Sequence, residues 1–246
     1  NTPAGCLTPR ESATPRRGDQ SPATVALPDY RTLRLFTTRK YSIMILAGGK
    51  MLHSHQMIMD KLTTYGSPKA KLTRMVSNGE MIRIRRGLYI DDPAIPRMAL
   101  APVIYGPSYI SFHTALAWHG LTPERVEVVD SASYGKNRDK RFRTPLGEYR
   151  YRYLPVAAYP HGLRLEEADG YRFLIASREK ALCDALYKAG VLHREEDIED
   201  LLTENWRIGI EDIRSLDKDL VQFLAPLYRR KTLSLFALWL EKEVNP

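Results

Sequence analysis

Lys61, Lys69, Lys71, Arg74, Arg83, Arg85 and Arg86 fall between residues 51 and 90, where the only acids are Asp60 and Glu80. Cations of this kind make and break no bonds at neutral pH. They bind anions, and the forked guanidinium of arginine matches phosphate oxygens and guanine edges. The whole chain of 246 residues carries a formal charge of +8, a surplus that favours a polyanion such as nucleic acid or an anionic membrane surface. A solvated basic face kept for solubility is the plainer alternative.

A second basic group, Lys136, Arg138, Lys140, Arg141 and Arg143, lies beside Tyr134 and Tyr149 on an expected loop and hairpin. It either extends a nucleic-acid footprint, touches a partner, or protects a sheet edge by charge. Arg178 and Lys180 stand near an expected helix start with no evident anion and are read as surface residues.

Other chemistry finds less support. Glu195, Glu196, Asp197, Glu199 and Asp200 could be imagined assisting a metal in hydrolysis, but their spacing fits the wet face of a helix burying Ile198, Leu201 and Leu202. His113 and His119 are six residues apart, whereas one helical face needs three or four, so neither they nor His53 and His55 predict a metal site. Cys6 and Cys183, the two cysteines, form no framework and suit a reducing compartment. Nucleophile elbow, phosphate loop, zinc-protease and dinucleotide patterns are absent. The reading is therefore a non-enzyme without cofactor, metal or catalytic residue; a nuclease or nucleotidyltransferase would rest on scattered carboxylates alone. With no apolar run near the roughly 18 residues that cross a bilayer, a cytoplasmic protein is expected.

These residues need elements to hold them. Residues 1–45, rich in proline, serine and arginine and without apolar periodicity, predict a disordered leader. Met51, Leu52, Met57, Ile58, Met59 and Leu62 predict a helix ended by Tyr65 and Gly66. Ser67 as N-cap and Pro68 at the first position open a second helix, whose buried stripe is Leu72, Met75 and Val76. Asn78 and Gly79 stop it, and Met81 to Ile90 alternates as a strand ribbon bent at Gly87.

The order helix, turn, helix, ribbon predicts a winged helix-turn-helix over residues 50–92. Ser67, Lys69, Lys71 and Arg74 would then face base edges, and Arg83, Arg85 and Arg86 would lie on the wing. Tyr89 would pack on a sugar or hold the wing. A proline-bearing linker (Pro93, Pro96, Pro102) leads to a larger domain over 100–246. It is expected to hold a helix from Ser108 to His119 with Trp118 in its core, a strand at 126–129, a hairpin over 141–154 turning at Pro145–Gly147, and a strand at 171–176. A helix capped by Ser177 and further helices then run to the end. The fold class expected is α+β, a winged reader followed by a mixed α/β domain with a helical close.

Three runs carry a resemblance. Gly66-Ser67-Pro68-Lys69 with Leu72-Thr73-Arg74-Met75 and Asn78 to Tyr89, then Tyr109 to Leu116 with His119-Gly120-Leu121, then Ala176 to Leu186, occur in the same order as in AbiEi-family antitoxins, which the chain resembles over roughly residues 50–190. The resemblance implies a repressor of its own two-gene operon and an antitoxin against a nucleotidyltransferase-like toxin, with no stable complex required. The toxin class would carry an Asp-x-Asp pair soon after a Gly-Ser; none follows Gly66-Ser67 closely, Asp217-Lys218-Asp219 lying far downstream. A reader this short implies binding to an inverted repeat in its operator as a homodimer. The competing expectation is a protein-interaction module that neutralises a partner directly. Its motive is the run from His193 to Leu220, where ten acids face four Lys or Arg.

Overall fold

The computed structural model describes residues 52–124 and 126–244. The leader, Cys6 and Met51 lie outside the described residues. The described chain is a mixed α+β structure with two sheets, one of three strands and one of six.

The first element is a strand, β1 (Leu52–Ser54), where the apolar pattern predicts helix. Ser54 sets the change. Its hydroxyl accepts the Met57 N–H at 3.2 Å and caps α1 (His55–Lys61). His53 is thereby a strand residue, with Nε2 3.0 Å from the Asp91 carboxylate. Helix α2 (Pro68–Ser77) starts at the proline, which lacks the N–H a first helical turn leaves idle, and ends before Gly79 at φ +76°. Strands β2 (Ile82–Arg85) and β3 (Leu88–Ile90) form the expected ribbon, closed through Arg86 and Gly87, the latter at φ +81°. β1 pairs with the far side of β3, giving the order β1-β3-β2.

This small sheet is held from two directions. Tyr89 and Met81 pack with Ile58, Leu62 and Leu72 in a minor core. Leu52, Ile84, Leu88 and Ile90 instead join the core of the larger sheet.

The stretch read as a linker contains α3 (Arg97–Ile104), with Pro102 inside it. Its Ala99, Leu100, Ala101 and Ile104 are buried, and that burial outweighs the hydrogen bond that proline removes. The expected helix from Ser108 begins as a strand, β4 (Ser108–Ile110), and only then becomes α4 (Phe112–Trp118). β4 lies between β5 (Val128–Ser133) and β9 (Tyr171–Ala176), so its apolar residues are buried on both faces. Trp118 sits at the rim, partly exposed, its ring edge-on to Phe173.

The hairpin of β6 (Lys140–Thr144) and β7 (Gly147–Tyr153) turns where the sequence predicts. β8 (Leu163–Ala168), which the sequence pattern does not predict, pairs with β9 and completes the order β6-β7-β5-β4-β9-β8. Ser177 caps α5 (Arg178–Ala189), accepting the Lys180 N–H at 3.3 Å. Helices α6 (Glu195–Asp200), α7 (Ile210–Arg214), α8 (Lys218–Leu224) and α9 (Lys231–Val244) then close the chain. Ile198 and Leu202 are buried, as the acidic helix face requires. Among the described residues no helix is long and apolar enough to cross a membrane.

Candidate nucleic-acid interface

Three elements present the cations. On α2, Lys69 and Arg74 are exposed, and half-buried Lys71 holds its ammonium 5.6 Å from the centre of the Tyr65 ring. Arg83 and Arg85 on β2 and Arg86 in the turn are exposed because alternation sends Ile84 inward. None of these six makes an ion pair with a described residue. The nearby acids are otherwise engaged: Asp60 accepts from Gln56 at 2.9 Å and Glu80 from Asn78 at 3.2 Å. Ser67 stands at the head of α2 with its hydroxyl making no cap hydrogen bond, so it is free for a ligand. Tyr89 differs from the rest. At 7% exposure its ring belongs to the minor core and is not presented with the exposed cations.

The second basic group begins near the first, because β2 lies against β6. Arg138, Lys140, Arg141 and Arg143 are exposed, and Lys136 stands over the Tyr105 ring at 5.4 Å. Two of them are partly neutralised: Arg141 lies 3.3 Å and Arg143 3.9 Å from the Glu148 carboxylate. Tyr149 is a core residue rather than a neighbour in that patch, and burial pushes its phenol up to about 12.

A cluster of another kind escapes the sequence pattern. Lys180, read from the sequence as a surface residue, is 0% exposed, as is Asp184 one turn on. The ammonium donates to Asp184 at 2.8 Å, to the Ala158 carbonyl at 2.8 Å and to the Tyr228 hydroxyl at 2.6 Å. The second Asp184 oxygen accepts from Ser111 at 2.6 Å and Tyr109 at 2.9 Å, and Tyr228 also donates to the carboxylate. Burial first, and the Asp184 charge second, hold the Tyr109 and Tyr228 phenols well above their ordinary range, so both stay protonated donors. With every donor of the ammonium satisfied, the cluster fastens β4, α5 and the turn before α9 together and offers no access to a substrate. The i, i+4 spacing of Lys180 and Asp184 within an otherwise apolar face was the available signal.

Two of the histidines are held within the fold. His119 Nε2 is 2.8 Å from the Ala176 carbonyl, and His113 meets Trp206 edge-on. No group of three metal-ligating side chains is found among the described residues.

No family model matches this chain. No curated protein matches it either. Among solved structures, a candidate nucleotidyltransferase from Helicobacter pylori aligns with 60% of this chain and 91% of its own at 13% identity, with a TM-score of 0.29. JHP933 from Helicobacter pylori aligns at 14% identity over 60% of this chain and 88% of its own, with a TM-score of 0.27. At scores this low neither likeness bears on the fold or on the site.

Proposed function

We propose that the chain is a DNA-binding transcriptional autorepressor whose reader is a winged helix-turn-helix formed by residues 52–90. The observation that carries this reading is the set of six exposed or half-exposed cations on α2, β2 and the β2–β3 turn, without an ion pair to a described residue, on a scaffold braced from two sides. In this reading Ser67, Lys69, Lys71 and Arg74 enter the major groove, and Arg83, Arg85 and Arg86 bind the backbone or the minor groove. Lys136, Arg138, Lys140, Arg141 and Arg143 extend the footprint, supported by the packing of β2 on β6. Phosphate contacts release counterions, so affinity should fall steeply with salt.

The antitoxin role in this proposal rests on the three runs of family resemblance. Two of them meet in space: Tyr109 and Ser111 from the second bind Asp184 from the third, and α4 packs on α5. The test is binding of the full chain to its own upstream DNA against a scrambled duplex at two salt concentrations, followed by co-expression with the neighbouring gene product. Specific, salt-sensitive binding together with rescue of growth is expected. A folded chain with no preference for that DNA would overturn the repressor reading in favour of direct protein binding.

A further inference from the structure

We propose that β8 is a self-association edge, pairing antiparallel with β8 of a second copy of this chain about a two-fold axis through Leu165. β8 is one end of the six-stranded sheet, with no strand beyond it among the described residues. Its outward hydrogen-bonding groups can be identified. Ser177 donates its N–H to the Gly162 carbonyl at 2.8 Å, which makes 162 and 177 a bonded pair in the register that runs Leu163↔Ala176 to Ala168↔Tyr171. Bonded pairs alternate along an antiparallel ladder, so Arg164, Glu166 and Ala168 also bond β9. Leu163, Leu165 and Glu167 therefore turn their N–H and C=O groups away from the sheet. Exposed edges of this kind are templates for another strand unless side chains forbid it.

Side-chain chemistry then selects the partner and the register. Leu165 is 61% exposed on this edge, the most exposed large apolar side chain among the described residues. Arg164 is exposed and Glu166 half-buried, and neither makes an ion pair with a described residue. Outward residues of one copy must bond outward residues of the other. With the axis through Leu165, Leu165 meets its own copy, Leu163 meets Glu167, and Arg164 stands opposite Glu166 twice over. Moving the axis to Arg164 or to Glu166 keeps the backbone bonds but sets arginine against arginine or glutamate against glutamate. Directly opposed like charges destabilise a pair and opposite charges stabilise it, so one register is favoured. β6, the other edge, carries Lys140, Arg141 and Arg143, so pairing with its own copy brings like charges together.

Five paired residues a side make an interface at the small end of the range, so the dimer should be weak and concentration-dependent. The test needs no DNA and is independent of the repressor reading. Opposed residues of a bonded pair have Cα atoms about 5.5 Å apart, within the span of a disulfide. In the full chain with Cys6→Ser, Leu165→Cys should cross-link under mild oxidation at least about tenfold faster than Val191→Cys, an exposed site elsewhere. In sedimentation, Arg164→Glu and Glu166→Arg should each weaken the dimer about tenfold, and the double exchange should restore it. Circular dichroism identifies any variant that fails to fold. Equal cross-linking at 165 and 191, a monomer at every concentration, or a double exchange no better than its single variants would overturn the proposal.

Discussion

Arg85 and Lys180 are both cations in a basic chain, and they stand in opposite surroundings. Arg85 is exposed on β2, without an ionic partner among the described residues, beside other unpaired cations on the same face. Lys180 is fully buried, and its ammonium meets a carboxylate, a carbonyl and a phenol. A charge left in water keeps its field for a ligand and contributes little to stability. A charge taken out of water must be matched inside the fold, and its field ends there. The buried Lys180–Asp184 pair cancels in the net charge, so exposure and pairing, not the total, separate the two kinds of cation.

The largest effect separates the two regions directly. Asp184→Ala should leave the Lys180 ammonium buried without its carboxylate and cost about 3–5 kcal/mol in urea unfolding. DNA affinity, measured where the variant is still folded, should stay within about twofold of the parent, because distant sites are close to independent. A cost under about 1 kcal/mol would mean that water reaches the cluster, and the contrast between buried and available cations would fail.

The mirror experiment is Arg83→Ala with Arg85→Ala and Arg86→Ala. Each lost phosphate contact should lower the slope of log affinity against log salt by about 0.9, so three contacts lower it by about 2.7. Stability should move by no more than about 0.5 kcal/mol, since these side chains are exposed and make no ion pair with a described residue. An unchanged salt slope would remove the wing from the interface.

A smaller effect tests β6. Arg141 and Arg143 share Glu148, so DNA must compete with that carboxylate for them. Glu148→Gln should free both and strengthen DNA binding severalfold, by roughly 1 kcal/mol or less for pairs this exposed. If β6 serves only to keep another strand from the sheet edge, the substitution should leave DNA affinity unchanged.

The legibility of the sequence obeys the same division. Helix α2, the ribbon, the β6–β7 hairpin, β9 and α5 were readable because each has a periodic apolar pattern and a residue that must end it, such as Gly79, Gly87 or Ser177. β1 and β4 were not, because a three-residue strand has no period to detect and each runs straight into a helix whose pattern absorbs it. β8 was hidden by Glu166, Glu167 and Ala168, residues with weak strand preference that an edge tolerates. α3 was hidden by Pro102, a local signal that tertiary burial overrode. At the candidate site the exposed cations were legible by type, but the burial of Lys180 was not, since it is decided by residues distant in sequence such as Tyr228 and Ala158.

Two serines give the finest version of the contrast, because both sit at helix starts and only one is used there. Ser177 caps α5 by accepting the Lys180 N–H, so Ser177→Ala should cost about 1 kcal/mol of stability. Ser67 occupies the corresponding place before α2 but makes no cap hydrogen bond, so Ser67→Ala should change stability by less than about 0.5 kcal/mol. If its idle hydroxyl is reserved for a phosphate or a base edge, the same substitution should weaken DNA binding by about 1 kcal/mol, roughly fivefold. Titration of the operator duplex alongside urea unfolding measures both quantities on one preparation. A stability loss matching that of Ser177→Ala would return Ser67 to an ordinary capping role, and a null result in both would leave the head of α2 to Lys69 and Lys71 alone.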